Sequence, residues 1–147
     1  MTRFLDDLPI GHEFPCGDFS LTPDEIIAFA HRFDPQPWHL DDALARETYF
    51  ESLCASGLHS QGAAISLLVR AITDVAIVAG GSLHEARFFA PVRPAQRYSV
   101  LARWTEARAS RSNPERGVAS ITIDARDDQG AVVMTCGVTY IVGRRPG

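Results

Sequence analysis

Asp34 and His39 stand five positions apart in the segment Phe33-Asp34-Pro35-Gln36-Pro37-Trp38-His39-Leu40-Asp41. Pro35 and Pro37 restrict the backbone between them, so a carboxylate and an imidazole are held in fixed relative directions. Such a pair can grip one water molecule: the carboxylate accepts a proton while the imidazole donates or orients. The same residues allow a plainer arrangement, in which Asp34 caps the loop and His39 packs against Trp38. A second candidate is Ala55-Ser56-Gly57-Leu58-His59-Ser60, where a long apolar segment begins. Unpaired N–H groups at a helix start attract negative charge, and a glycine lets a ligand approach the backbone closely. The Gly57 N–H can therefore stabilise an enolate-like oxygen. Equally, Gly57 can be a boundary glycine with Ser56 as an ordinary N-cap.

Other polar residues carry weaker signals. Six arginines (93, 97, 103, 108, 111 and 116) face only Glu106 and Glu115 in one stretch of an otherwise acidic chain. Guanidinium groups suit phosphates, which makes Arg111 and Arg116 candidates for holding a phosphorylated ligand. Solvated strand edges account for most of the six. His59, one turn inside the apolar segment, is a candidate to line a pocket, although packing explains it as well. His84 reads as structural. Cys16, Cys54 and Cys136 are widely spaced, with no C-x-x-C pair, and read as buried free thiols in a reducing compartment. No zinc, redox or dinucleotide motif is present, so no metal or redox cofactor is expected.

The elements that must position these residues are legible in outline. His12 to Leu21 suits a first strand. Thr22-Pro23-Asp24-Glu25 then announces a helix, with Thr22 as cap, Pro23 at its first position and Glu25 closing a capping box. Ile26, Phe29, Ala30 and Phe33 give that helix one apolar face, and Pro35 stops it at Asp34. Asp41 to Arg46 suits a short helical turn. Gly57 to about Ala79 is apolar on nearly every side, the pattern of a helix enclosed by protein, with Gly80-Gly81 as its terminator. Everything afterwards alternates as strands: Leu83 to Ala90, Tyr98 to Trp104, Ala119 to Asp124, and Val132 to Val142 after the turn Asp127-Asp128-Gln129-Gly130. The expectation is an α+β, hot-dog arrangement, one antiparallel sheet wrapped around a long central helix, as a single domain over 1–147. Such a sheet leaves an edge open, which pairing in a homodimer would cover. A dimer of dimers is compatible with the same edge.

Composition narrows the function class. A net charge of −4 argues against general nucleic-acid binding. The N-terminal Met-Thr-Arg-Phe-Leu-Asp-Asp has acids where a signal peptide needs an apolar run. The most apolar stretch, interrupted by Arg70 and Asp74, falls short of a membrane span. A cytoplasmic protein without membrane attachment is expected.

Asp34-Pro-Gln-Pro-Trp-His39-Leu-Asp41 closely resembles the hydratase motif D-x-N-P-x-H-x-D of MaoC-like dehydratases and (R)-specific enoyl-CoA hydratases. Ala55-Ser-Gly57 is similar to the H-G step that opens their central helix, and Ser110 to Gly117 resembles a segment of single-domain bacterial members. The likeness spans most of the chain in the right order. It implies syn addition of water to a trans-2-enoyl thioester, or the reverse dehydration. By the resemblance, Asp34 and His39 hold the water and move its protons, and the Gly57 N–H binds the thioester oxygen. Gln36, Trp38, Ser56 and His59, with Arg111 or Arg116, are then the expected substrate contacts. Coenzyme A enters as part of an acyl-CoA substrate, with an acyl-carrier-protein thioester as the other option, and no separate cofactor is expected.

Two departures stand out: Gln36 replaces the usual Asn, and Ser56 replaces the usual His. An acyl-CoA thioesterase of the same fold is the enzymatic rival, but the segment from Gly57 offers it only Asp74. A non-catalytic acyl-thioester binding module is the other alternative, and it has no need of Asp34 and His39 together.

Overall fold

The computed structural model describes residues 1–147. Thr22 caps α1 (Pro23–Phe33) as its sequence requires, its Oγ1 accepting the Glu25 N–H at 3.1 Å. The Glu25 carboxylate takes the Thr22 hydroxyl rather than closing the box on the backbone. Ile26 and Ala30 are fully buried, whereas Phe33 turns out to the surface. Pro35 ends α1 with Asp34 as its C-cap. The fixed φ of Pro37 then opens α2 (Pro37–Leu40), which carries His39. Asp41 then caps α3 (Asp42–Arg46), its Oδ1 accepting the Leu44 N–H at 3.0 Å. The acidic end of the hydratase-like segment is thus a helix cap.

Five antiparallel strands form one sheet in the order β1-β3-β4-β5-β2: β1 (Glu13–Phe19), β2 (Ile77–Phe88), β3 (Tyr98–Ala109), β4 (Arg116–Arg126) and β5 (Val132–Gly143). Tyr98, Val100, Ala102 and Trp104 on β3 and Ala119, Ile121, Ile123 and Ala125 on β4 all point into the core, as their period of two demands. The long helix α4 (Gly57–Ala71) packs across β1, β3 and β4, the hot-dog arrangement. Its buried stripe is Ser60, Ala64 and Leu68, continued by Ile72, at steps of four.

Two expectations about this region are corrected. The helix stops at Ala71 rather than near Ala79, and Gly80-Gly81 lies inside β2, which begins at Ile77. The N-terminal segment ends the helix. Arg3 forms a bridge to Val75, its N–H donating to the Asp74 carbonyl while its own carbonyl takes the Ala76 N–H. Its guanidinium holds the Asp74 carboxylate at 2.6 Å. Residues 74–76 are committed to extended pairing before the glycines are reached. Gly81 serves instead as a point of close approach, since a Cβ there would lie 3.0 Å from the Thr139 carbonyl oxygen of β5. Nor is α4 enclosed on all sides within one chain: Leu58 and Val69 are exposed.

Candidate active site

The break between α1 and α2 and the start of α4 converge on one carboxylate. The Ser56 hydroxyl donates to Asp34 Oδ2 at 2.6 Å, and the Gln36 amide donates to Asp34 Oδ1 at 2.8 Å. These two bonds, the Ser56 one foremost, hold the Asp34 carboxyl below its ordinary range, against burial, which pushes it up. His39 Nε2 lies 3.5 Å from Asp34 Oδ2, with the His39 side chain 7% exposed and that of Asp34 20%. The other ring nitrogen, Nδ1, is 2.7 Å from the Cys54 carbonyl oxygen. A carbonyl only accepts, so Nδ1 carries the hydrogen and Nε2 is left to face the carboxylate. A carboxylate oxygen and an imidazole nitrogen therefore look toward the same small volume.

That volume opens into a cavity of about 650 Å³, lined by Asp34, Gln36, Trp38, His39 and Gly57 and walled by Tyr49, Phe50, Leu58, Phe88 and Phe89. Trp38 and Phe50 pack with ring centroids 5.2 Å apart. Gly57 is the first residue of α4. Ser56 caps the helix by accepting the Leu58 N–H at 3.2 Å, while the Gly57 N–H has no acceptor within the chain. Ser56 is thus an ordinary N-cap, and Gly57, which lines the cavity, keeps an N–H without an acceptor in the chain. The Phe88 ring presses on Gly57 so closely that a Cβ would lie 2.7 Å from its Cζ, which accounts for the missing side chain.

A MaoC-like domain model matches residues 10–125. The chain belongs to the MaoC-like family. A MaoC-like dehydratase from Rhodospirillum rubrum is 33% identical and superposes with a TM-score of 0.88 over 99% of both chains. The (R)-hydratase from A. caviae involved in PHA biosynthesis shares the fold, with a TM-score of 0.70 at 21% identity over 90% of this chain and 96% of its own. The uncharacterized protein YdeM of Bacillus subtilis (strain 168) is 23% identical over 95% of this chain and 99% of its own length.

Within this MaoC-like protein several expected contacts fall elsewhere. His59 does not line the cavity. Two positions beyond Gly57 on a helix is a turn of about 200°, so its ring faces α1 and stacks on Phe29 at 4.4 Å. Its Nδ1 is buried without a partner, and burial lowers its pKa. Arg111 and Arg116 sit at the β3–β4 hairpin, where Arg116 pairs with Gly143, whereas Phe88 of the cavity wall pairs with Met134. These positions are about nine residues apart along β5, roughly 30 Å. The two arginines therefore lie outside this chain's cavity. The basic stretch is not one patch either. Arg97 faces Asp18 at 3.8 Å, Arg108 faces Glu106 at 3.6 Å, and Arg93 donates to the Phe50 and Ser52 carbonyls at 2.7 and 2.8 Å.

Sequence reasoning missed Phe88 and Phe89 of the wall, because Phe88 ends β2, Phe89 follows it, and neither carries a local mark of its direction. It also missed the Cys54 carbonyl, since any residue supplies one. The Cys54 thiol itself lines the cavity, and burial pushes it up to about 11, so it stays protonated at neutral pH.

Proposed function

We propose that this protein adds water to a trans-2-enoyl thioester, or removes it from the 3-hydroxyacyl thioester, with coenzyme A or an acyl-carrier protein as the thiol. The observation that carries this reading is the meeting of Asp34 Oδ2 and His39 Nε2 at 3.5 Å on a cavity that the unpaired Gly57 N–H also lines. Water is a poor nucleophile. A carboxylate kept ionised takes its proton as the oxygen attacks the β-carbon, while His39 Nε2 orients it. Electron density moves to the thioester oxygen, where the Gly57 N–H stabilises the enolate. The proton held by the Asp34–His39 pair then returns to the α-carbon from the same face. One water is consumed and the addition is syn. Dehydration is the same path reversed. The aromatic wall suits the acyl chain, and the volume lies in the range of about 300–1,000 Å³ usual for small-molecule sites.

The working unit in this reading is a homodimer. β2 pairs only with β5, and all but its first residue are exposed, including Val78, Leu83 and Phe88. At the opposite edge, β1 is blunted by Pro15 and by the register shift at Gly17. The free β2 edge also leads into the cavity at Ala86 and Phe88.

The test is ultraviolet loss of the enoyl thioester band across a panel of chain lengths and branches, followed by the configuration of the product. Hydration to a single 3-hydroxyacyl isomer is expected. Release of free thiol from saturated acyl thioesters would favour a thioesterase, and binding without turnover would favour a carrier-type module.

A further inference from the structure

We infer that Ser56, acting with Gln36, is the positioning residue for Asp34: the two side chains occupy one lone pair on each carboxylate oxygen and thereby fix which lone pairs remain to face the water. This rests on the reading of Asp34 as the base, but it concerns what holds the base rather than what the base does. Asp34 is the C-cap of α1, with φ −158° and ψ 70°, at the point where the chain leaves the helix. Nothing in a C-cap position by itself restricts the rotation of a short carboxylate. Ser56 supplies the restriction from 22 residues away, joining the end of α1 to the start of α4. It is wholly buried, and its Oγ accepts the Leu58 N–H, so its own hydrogen is directed at Asp34 rather than free to rotate. Gln36 completes the hold from the other side. Its backbone N–H donates to the Asp34 carbonyl at 2.8 Å, and its amide to Oδ1 at the same distance.

An ionised carboxylate offers about four lone-pair sites. With one taken on each oxygen, Oδ2 keeps a free site and is also the oxygen 3.5 Å from His39 Nε2. The departure from His to Ser before the glycine thus has a physical content. One hydroxyl oxygen can cap a helix and donate to a carboxylate at once, which no single imidazole nitrogen can do. Hydrogen bonds to the charged form also keep the base ionised, consistent with the lowered Asp34 pKa. The arrangement exchanges some basicity for orientation and for a carboxylate that is charged throughout the neutral range.

The experiment follows the Asp34 carboxyl directly, by carbon-13 NMR titration of Asp-labelled protein, beside the pH profile of kcat/KM. The variants are Ser56→Ala and Gln36→Met. Ser56→Ala should raise the Asp34 titration by about one pH unit, as expected for loss of a hydrogen bond to a charged group. Gln36→Met should raise it by less, because that amide is exposed. The acid limb of kcat/KM should move upward in step in both. Ser56→Ala also removes a helix cap, so a fall in stability alone says nothing about Asp34. Gln36 stands at the N-cap of α2, but its side chain makes no capping bond, so Gln36→Met separates the two effects. An Asp34 titration unmoved in both variants overturns the inference. Shifted titrations in a protein that hydrates no enoyl thioester would leave the positioning role standing and remove the hydratase reading instead.

Discussion

Asp34 and His39 are useful together only if one water serves both, and that has a measurable consequence. Asp34→Asn keeps the shape of the side chain and abolishes its basicity, while His39→Ala removes the second hold on the water. Each should lower kcat by at least about 10²-fold, the lower range for positioned acid/base catalysis. If the two groups act as a unit, as the proposed mechanism requires, the double variant should be little worse than the poorer single one. Additive losses measured with one enoyl thioester would show two independent sites instead. His59 makes the opposite case. Its ring stacks on Phe29 with a buried, unpartnered Nδ1, and burial lowers its pKa. The folded state therefore binds a proton there less readily than the unfolded chain does, so stability falls as pH drops through the ordinary histidine value of about 6.5. His59→Phe should keep hydration activity and should gain stability over the parent, more at pH 5.5 than at pH 8. Chemical denaturation at the two pH values checks it, and a collapse of activity would place the imidazole in the chemistry after all.

Short elements set the site. α2 exists because Pro37 starts a turn immediately after Pro35 has ended α1, and that single turn carries His39 into the cavity wall. The loop facing it, residues 50–54, has no regular structure. Arg93 pins it instead, its guanidinium donating to the Phe50, Ser52 and Leu53 carbonyls, while the Tyr98 hydroxyl accepts the Arg93 N–H at 2.8 Å. Cys54, next along that loop, provides the carbonyl that fixes the His39 tautomer. Arg93→Met keeps the aliphatic stem and removes the guanidinium from the Ser52 and Leu53 carbonyls, while the Phe50 carbonyl keeps only the Ser52 N–H. A loss of about 1.5–3 kcal/mol is expected, the usual range for hydrogen bonds to a charged group. KM should rise as Phe50 loses its seat. Arg93→Lys should rescue little, because one ammonium cannot fork across several carbonyls. Denaturant midpoints and KM for the two variants decide it.

The sheet as a whole ends in two unlike edges, and only β2 is left as an exposed ladder. Leu83→Glu places a charge midway along it, where pairing with a second copy would bury that charge. The parent should scatter light as a dimer, and the variant as a monomer of 16.1 kDa. A parent that is monomeric at micromolar concentration would contradict the assembly. Acid stability is also a property of the whole chain. Asp7 is lowered by the Phe4 N–H and Arg145, Asp42 by the Leu53 N–H and Arg46, and Asp74 by Arg3. Each favours the folded state while ionised. That stabilisation is complete above the unfolded carboxylate value of about 3.9 and is lost as pH falls through the lower folded values. Unfolding followed by circular dichroism should begin below about pH 4, and salt should advance it, since these pairs are exposed.

The sequence alone carried the parts that obey short-range rules. The cap at Thr22, the stop before Pro35, the turn at Asp127 to Gly130 and the alternation along β3 and β4 each depend on neighbours within a few residues. The pairing of Asp34 with His39 belongs to this class, because two prolines and one helical turn join them. The end of α4 does not: Val75, Ile77 and Val78 suit a buried helix as well as a strand, and Arg3, paired with Asp74 from 71 residues away, decides between them. The direction of His59 and the distance of Arg111 and Arg116 from the cavity are likewise tertiary facts, fixed by which face of α4 meets α1 and by strand register. So is the bond from Ser56 to Asp34. Periodicity and capping act over one or two turns, whereas these contacts depend on where distant segments meet once the core has closed.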